Sequence, residues 1–144
     1  MKIIFSFILG VFCLCFPLSC VSNSASNSLL YRDWMMVSFS SIPKDEFIRS
    51  KVSIHLNKDE KTEKNRGKVF TGSNTIVFNF KIKDSKRIKI QNIKSQDFNS
   101  EQTHLHILCF EFLKKVKTYQ KEGHFLILYD EKGNAMKLVA SDWD

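Results

Sequence analysis

From Leu30 onward, hydrophobic and polar residues alternate with a period close to two, the pattern of strands that bury one face. Trp34, Met36 and Phe39 open a first apolar segment that runs to Ile42 and stops at Pro43. In 51–57, Val52, Ile54 and Leu56 alternate with Ser53 and His55, which predicts a half-buried strand. The stretch 57–68, NKDEKTEKNRGK, is charged and without period, and reads as a solvent loop or a long hairpin connection. The clearest alternation follows. Ile76, Phe78, Phe80 and Ile82 point one way, and Val77, Asn79, Lys81 and Lys83 the other. Asp84-Ser85-Lys86 supplies turn chemistry, after which Ile88 and Ile90 alternate with Arg87, Lys89 and Gln91. This predicts an antiparallel hairpin with one apolar and one cationic face.

The period then lengthens. Leu105, Leu108, Cys109, Phe112, Val116 and Tyr119 recur at steps of three and four, predicting an amphipathic helix from about 101 to 121. Asn99 or Ser100 suits its N-cap and Glu101 its first turn; Lys114, Lys115 and Lys117 suit the later turns, and Gly123 its end. Two strands close the chain, 124–130 and 135–140, joined by Glu131-Lys132-Gly133-Asn134. The expected order is five strands, one helix and two strands. The fold class is α+β: an antiparallel, curved, half-barrel-like sheet packed on one helix, with a C-terminal hairpin after that helix. No internal repeat interrupts it.

Composition adds compartment. At 144 residues one domain is expected, and 5 Gly, 2 Pro and 4 Cys exclude collagen-like, low-complexity and disulfide-dense classes. The apolar residues are unevenly spread. Residues 1–20 carry one charge, Lys2, ahead of a long apolar run and a small-residue exit, which is the build of a secretory signal. A single spanning helix is the rival reading, but Pro17 and the polar stretch after Cys20 favour cleavage. Ser19 before Cys20 matches a lipoprotein signal, in which the Cys20 thiol is acylated and becomes the first residue; Pro17 stands where such signals usually have Leu. Ordinary cleavage before Ala25, with Ser22 and Ser24 as the small residues, is the alternative. The expected organisation is therefore a signal peptide over 1–19, a Ser/Asn-rich tether over 20–29 and a folded domain over 30–144. Loss of the leader removes Cys13 and Cys15 and the lipid occupies Cys20, so Cys109 has no partner for an internal disulfide.

The strand and helix order, with its landmarks, resembles the META domain family, which includes HslJ-like heat-shock lipoproteins. A first strand carrying Trp is matched by Asp33-Trp34-Met35-Met36-Val37, and the family's Gly-Cys-Asn turn by Thr71-Gly72-Ser73-Asn74 ahead of Phe78 and Phe80. The helix ending "leucine, two residues, valine, two residues, tyrosine" is matched by Leu113, Val116 and Tyr119. The "leucine-x-leucine, acidic, glycine" hairpin is matched by Leu126, Leu128, Asp130 and Gly133. The likeness spans about 33–141 and is most specific in its last third. The chain departs at both family cysteines: one position holds Ser73 and the other falls near Asn99. If those cysteines pair in relatives, this chain lacks the bridge. The resemblance implies a short exported lipoprotein of the cell envelope with a non-enzymatic role, linked in some relatives to stress or antibiotic tolerance.

The net charge of +7, or +6 without Lys2, points to anionic partners. It concentrates on the predicted hairpin, at Lys81, Lys83, Lys86, Arg87 and Lys89, with Lys94 beyond. Such a face serves solubility alone in many one-sided sheets; its functional reading is docking onto anionic headgroups, acidic glycans or an acidic protein. Export and the lack of interleaved aromatics argue against nucleic acid. Gly72 and Asn74 either line a ligand cleft or serve backbone geometry, which they suit by tolerating positive φ. His104 and His106 stand two apart with no third ligand nearby and read as surface histidines, with no metal expected. Cys109 lies on the apolar stripe and reads as a buried structural thiol. Scattered acids such as Asp45, Glu46, Asp59, Glu60 and Glu63 read as solvated faces. No nucleophile triad, carboxylate pair or phosphate loop stands out, so neither a catalytic residue nor a cofactor is expected. The expected partners are a membrane, through the lipid, and an anionic envelope component or protein. The alternatives are a module for a small hydrophobic or anionic ligand in the half-barrel's mouth, and an inhibitor-like partner protein.

Overall fold

The computed structural model describes residues 28–59, 62, 64–97 and 103–143; Cys20, Asn99, Ser100 and Glu101 lie outside the described residues. In chain order the elements are β1 (Asp33–Phe39), α1 (Lys44–Arg49), β2 (Ser53–Lys58), β3 (Asn65–Phe70), β4 (Asn74–Ile82) and β5 (Ile88–Asp97). There follow α2 (His104–Lys115), β6 (Val116–Glu122), β7 (Phe125–Asp130) and β8 (Ala135–Ala140). The fold is α+β, as the alternation predicts. All eight strands form one antiparallel sheet in the order β5-β4-β3-β2-β1-β8-β7-β6.

The sheet curls until its two outermost strands meet. Arg87 bridges Thr118, the Tyr119 N–H donates to Lys86 O at 2.7 Å, and the Tyr119 hydroxyl donates to Asp84 O at 3.1 Å. Beyond that contact, α2 packs against β4, β5 and β7. Its Leu105, Cys109, Phe112 and Leu113 are buried. Among the described residues no helix is long and apolar enough to cross a membrane.

The inner face is ordered in rows. One row runs Ala140, Trp34, Ile54, Val69 and Ile76 across five strands, and all five are fully buried. The Trp34 indole N–H is satisfied by Leu30 O at 3.1 Å, so its polar atom costs nothing in the core. The next row is Leu56, Gly67 and Phe78. Gly67 is needed there because a Cβ at that position would stand inside the Phe78 ring. The ring fills the space the glycine leaves. Phe78, Phe80 and Phe112 are all buried, so aromatic rings occupy the interior of the curl.

Three elements differ from the expectation, the first being α1, a short helix that follows Pro43 and buries Phe47 where no helix was expected. The charged stretch after Asn57 is not all loop: β2 extends to Lys58, and Arg66 and Lys68 lie on β3, paired with both neighbours. The predicted helix stops at Lys115, and the residues after it form β6, so Gly123 turns the β6–β7 hairpin and does not end a helix. A bulge at Lys117 breaks the register between Val116 and Thr118 and lets Val116 and Tyr119 both face inward. Three residues apart, the two mimic a helical stripe. The helix also starts later than expected, capped by Thr103, whose hydroxyl accepts from the His106 N–H at 3.2 Å.

Candidate functional site: the outer face of β3, β4 and β5

The β4–β5 hairpin forms as its alternation demands. At its tip, Asp84 accepts backbone N–H bonds from Lys86 at 2.9 Å and Arg87 at 2.8 Å, and a side-chain bond from Arg87 Nε at 2.5 Å. The Lys86 N–H first, and then the Arg87 side chain, hold the Asp84 carboxyl down at about 2. Arg87 is thereby neutralised locally. It lies with Lys83 and Lys86 at the tip, beside β6, and away from the broad outer face.

On that face the pairing register lays out three rows. Lys81 stands directly opposite Lys89. The next row is Arg66, Asn79 and Gln91, and the one after it Lys68, Val77 and Lys94. Neighbouring strands are about 4.8 Å apart and residues rise about 3.4 Å along each, so Lys68 and Lys94 stand about 10 Å apart and the outer cation rows about 14 Å apart. Apart from Arg66, which pairs with Asp59 at 3.2 Å, none of these cations joins an ion pair among the described residues.

Two local grooves mark this face. A groove of about 470 Å³ is lined by Arg66, Lys68, Val77, Asn79, Lys94 and Gln96. A second, of about 210 Å³, adds Lys64, Lys81 and Gln91 and shares Asn79 and Asn92 with the first. Asn92 makes the bend: its φ is +53°, and the β4–β5 register shifts beside it. The structure thus brings Lys81, Lys89 and Lys94 of the expected set together with Arg66, Lys68 and Lys64, which sequence reading left in a loop. The alternation of Arg66 and Lys68 about Gly67 was the available signal. It lacked an inward apolar partner because Phe78 supplies that bulk from the next strand.

The turn at Gly72, Ser73 and Asn74 belongs to a different place. Gly72 has φ +87°, which favours glycine, and the Thr71 N–H and hydroxyl donate to Asn74 O at 3.0 and 3.3 Å. Thr71 and Asn74 are buried. His106, expected at the surface, is 1% exposed and locks this turn to the helix: its Nδ1 lies 2.9 Å from Thr71 Oγ1 and its Nε2 2.7 Å from Ser95 Oγ. These three contacts are consistent with Nδ1–H donating to Thr71 Oγ1, the Thr71 proton going to Asn74 O, and Ser95 donating to Nε2. His106 is therefore a joint between β3, β5 and α2. Its neighbour His104 is exposed, as residues two apart on a helix require. Burial pushes the Cys109 thiol up to about 12, which leaves it un-ionised and unreactive. Among the described residues no three His, Cys, Asp or Glu side chains converge as a metal site.

One further concavity, of about 480 Å³, lies outside the sheet between α1 and β1–β2. Met35, Phe47, Ile48 and Val52 line it, and Lys44 and Lys51 border it. Ile48 is 64% exposed.

Neither family models nor curated proteins give a match to this chain. Its fold is similar to two solved structures. One is the NMR structure of a protein from Burkholderia xenovorans, at TM-score 0.60 and 14% identity over 84% of this chain and 90% of that one. The other is the crystal structure of a DUF4847 family protein from Bacteroides vulgatus ATCC 8482, at TM-score 0.55 and 13% identity over 83% of this chain and 99% of that one. At these identities the likeness is one of fold alone.

Proposed function

We propose that this chain is an exported, lipid-anchored protein of the cell envelope, with a META-like domain and a non-enzymatic role: it holds an anionic envelope component against the outer face of β3–β5. The apolar leader, Ser19-Cys20 and the Ser/Asn-rich tether support export and anchoring. The observation that carries the binding role is the like-charged pair Lys81–Lys89, set directly opposite on neighbouring strands. Like charges so placed destabilise a sheet, and solubility, which needs charge on the face, does not need two like charges directly opposite. An anionic partner removes the repulsion, and each basic group near an anionic surface contributes about 1 kcal/mol. A role in stress tolerance fits this reading as an envelope function.

Two measurements test it. Mass spectrometry of the membrane fraction should find Cys20 acylated, and a Cys20→Ser variant should leave that fraction; retention of the variant ends the anchor. Replacing Lys81, Lys89 and Lys94 with Gln should weaken binding to anionic vesicles in a salt-dependent way, and unchanged binding removes the role assigned to the face.

A second reading, a module for a small hydrophobic ligand, is favoured by the groove between α1 and β1–β2, where Met35 and Ile48 are left exposed. That ligand would sit outside the curl, since Phe78, Phe80 and Phe112 fill the interior.

A further inference from the structure

We propose that the occupant of the outer groove is an acidic glycan strand, its hydroxyls hydrogen-bonded by the central amides and its acid groups held by the cation rows on either side. This rests on the anionic-partner reading above and names the partner's chemistry.

The order of side chains across the groove carries the inference. Cations lie at both ends, Lys81 and Lys89 in one row and Lys68 and Lys94 in another. Between them Asn79 and Gln91 turn outward, with Arg66 beside them and Asn92 and Gln96 along the rim. Among the described residues none of these four amide side chains is engaged in a hydrogen bond. An outward primary amide offers two donors and an acceptor, which matches a sugar hydroxyl's need to give and receive. A bare anion gains nothing from the acceptor half.

The groove's shape excludes the rivals. A flat bilayer lies across a groove and is met by the cation rows more than by the half-buried amides between them. A peptide needs apolar anchors, and Val77 is the one apolar side chain among the outward positions of the three rows. A single-stranded nucleic acid needs outward aromatics for stacking, and those rows have none. With cation rows about 14 Å apart, the groove suits an extended chain with acid groups on separated residues.

The test measures binding of the solubilised mature protein to oligosaccharides of polygalacturonate and of dextran sulfate, with plain dextran as the neutral control, and to vesicles of anionic lipid. Lys68→Gln with Lys94→Gln should weaken both oligosaccharide and vesicle binding. Asn79→Ala with Gln91→Ala leaves the charge unchanged; it should weaken oligosaccharide binding about tenfold, as loss of two hydrogen bonds does, and leave vesicle binding intact. If the Asn79 replacement impairs folding, judged by the urea midpoint, Gln91→Ala on β5 alone should still give a several-fold loss. Failure of both acidic oligosaccharides to bind, or binding indifferent to the amides while sensitive to the lysines, overturns the glycan and leaves the anionic-surface reading standing. Equal loss of vesicle binding in the amide variant overturns it in favour of a lipid headgroup. Binding of oligosaccharides and vesicles that ignores the lysines as well overturns both readings.

Discussion

Gly67→Ala should destabilise this protein although the same change stabilises many others. Gly67 sits on the inner face of β3, opposite Phe78, and three atoms of the Phe78 ring lie within 2.7 Å of where the new Cβ would stand. Phe78 is 4% exposed and has Phe80 beside it at 6.3 Å between ring centroids, so the ring has little room to retreat. Overpacking a filled core costs about 1–3 kcal/mol. Against this stands the reduced freedom of the unfolded chain, worth about 0.4–1 kcal/mol in favour of Ala. The net loss is about 1–2 kcal/mol, which at a urea slope of about 1–3 kcal/mol/M lowers the midpoint by about 1 M. The control is the same change in a Phe78→Leu background, where the shorter side chain leaves room for the methyl. There the penalty should vanish or change sign, giving a coupling of about 1–3 kcal/mol between the two positions. A Gly67→Ala variant with a raised midpoint would refute the packing argument, as would an equal loss in both backgrounds.

Three further outcomes follow from the buried and titrating groups. His106→Ala leaves the Thr71 and Ser95 hydroxyls without their ring partner and should cost roughly 3 kcal/mol in urea unfolding; a loss under 0.5 kcal/mol would show that the joint contributes little. The Asp84 carboxyl falls from 3.8 to about 2 on folding, so its stabilising contribution is complete above pH 3.8 and is lost as pH drops through about 2. Asp84→Asn should therefore flatten the acid limb of a stability–pH curve over that window, and a superimposable limb would remove the hairpin tip from the acid response. The Cys109 thiol, fully buried and pushed up to about 12, should resist a disulfide reagent at neutral pH until denaturant is added. Rapid native labelling at Cys109 would mean that α2 lifts from the sheet.

Legibility in the sequence tracked how each strand fills its own inner face. β4 carries its apolar residues at strict alternate positions, so the hairpin, its turn and its cationic side are plain from the letters alone. β3 borrows its bulk from Phe78, so its inward position reads as a glycine in a charged run, and two outer cations went unassigned with it. In β6 the bulge converts a two-residue period into a three-residue step, and continuity with the stripe of α2 hid the boundary. His106 is polar by type and buried by context: only the meeting of the β3–β4 turn with β5 supplies the hydroxyls that make its burial tolerable. The amides of the groove give no sequence signal at all, because Asn79 and Gln91 acquire meaning only when register sets them side by side.

The Lys81–Lys89 pair separates stability from function in one substitution. Directly opposite residues on antiparallel strands hold their Cβ atoms about 5 Å apart, and both lysines are exposed with no acid paired to them among the described residues. Lys89→Glu replaces a repulsion by an attraction. Each is worth a few tenths of a kcal/mol at an exposed site, so the variant should gain about 0.5–1 kcal/mol at low salt, and the gain should shrink as the Debye length falls. Removing one positive charge and adding a negative one should at the same time weaken binding of an anionic partner by tenfold or more. A face shaped by folding alone gives the first effect without the second. A protein more stable than its parent and worse at binding anions identifies the repulsion as something kept for the partner; tight binding retained by Lys89→Glu would return the pair to ordinary surface.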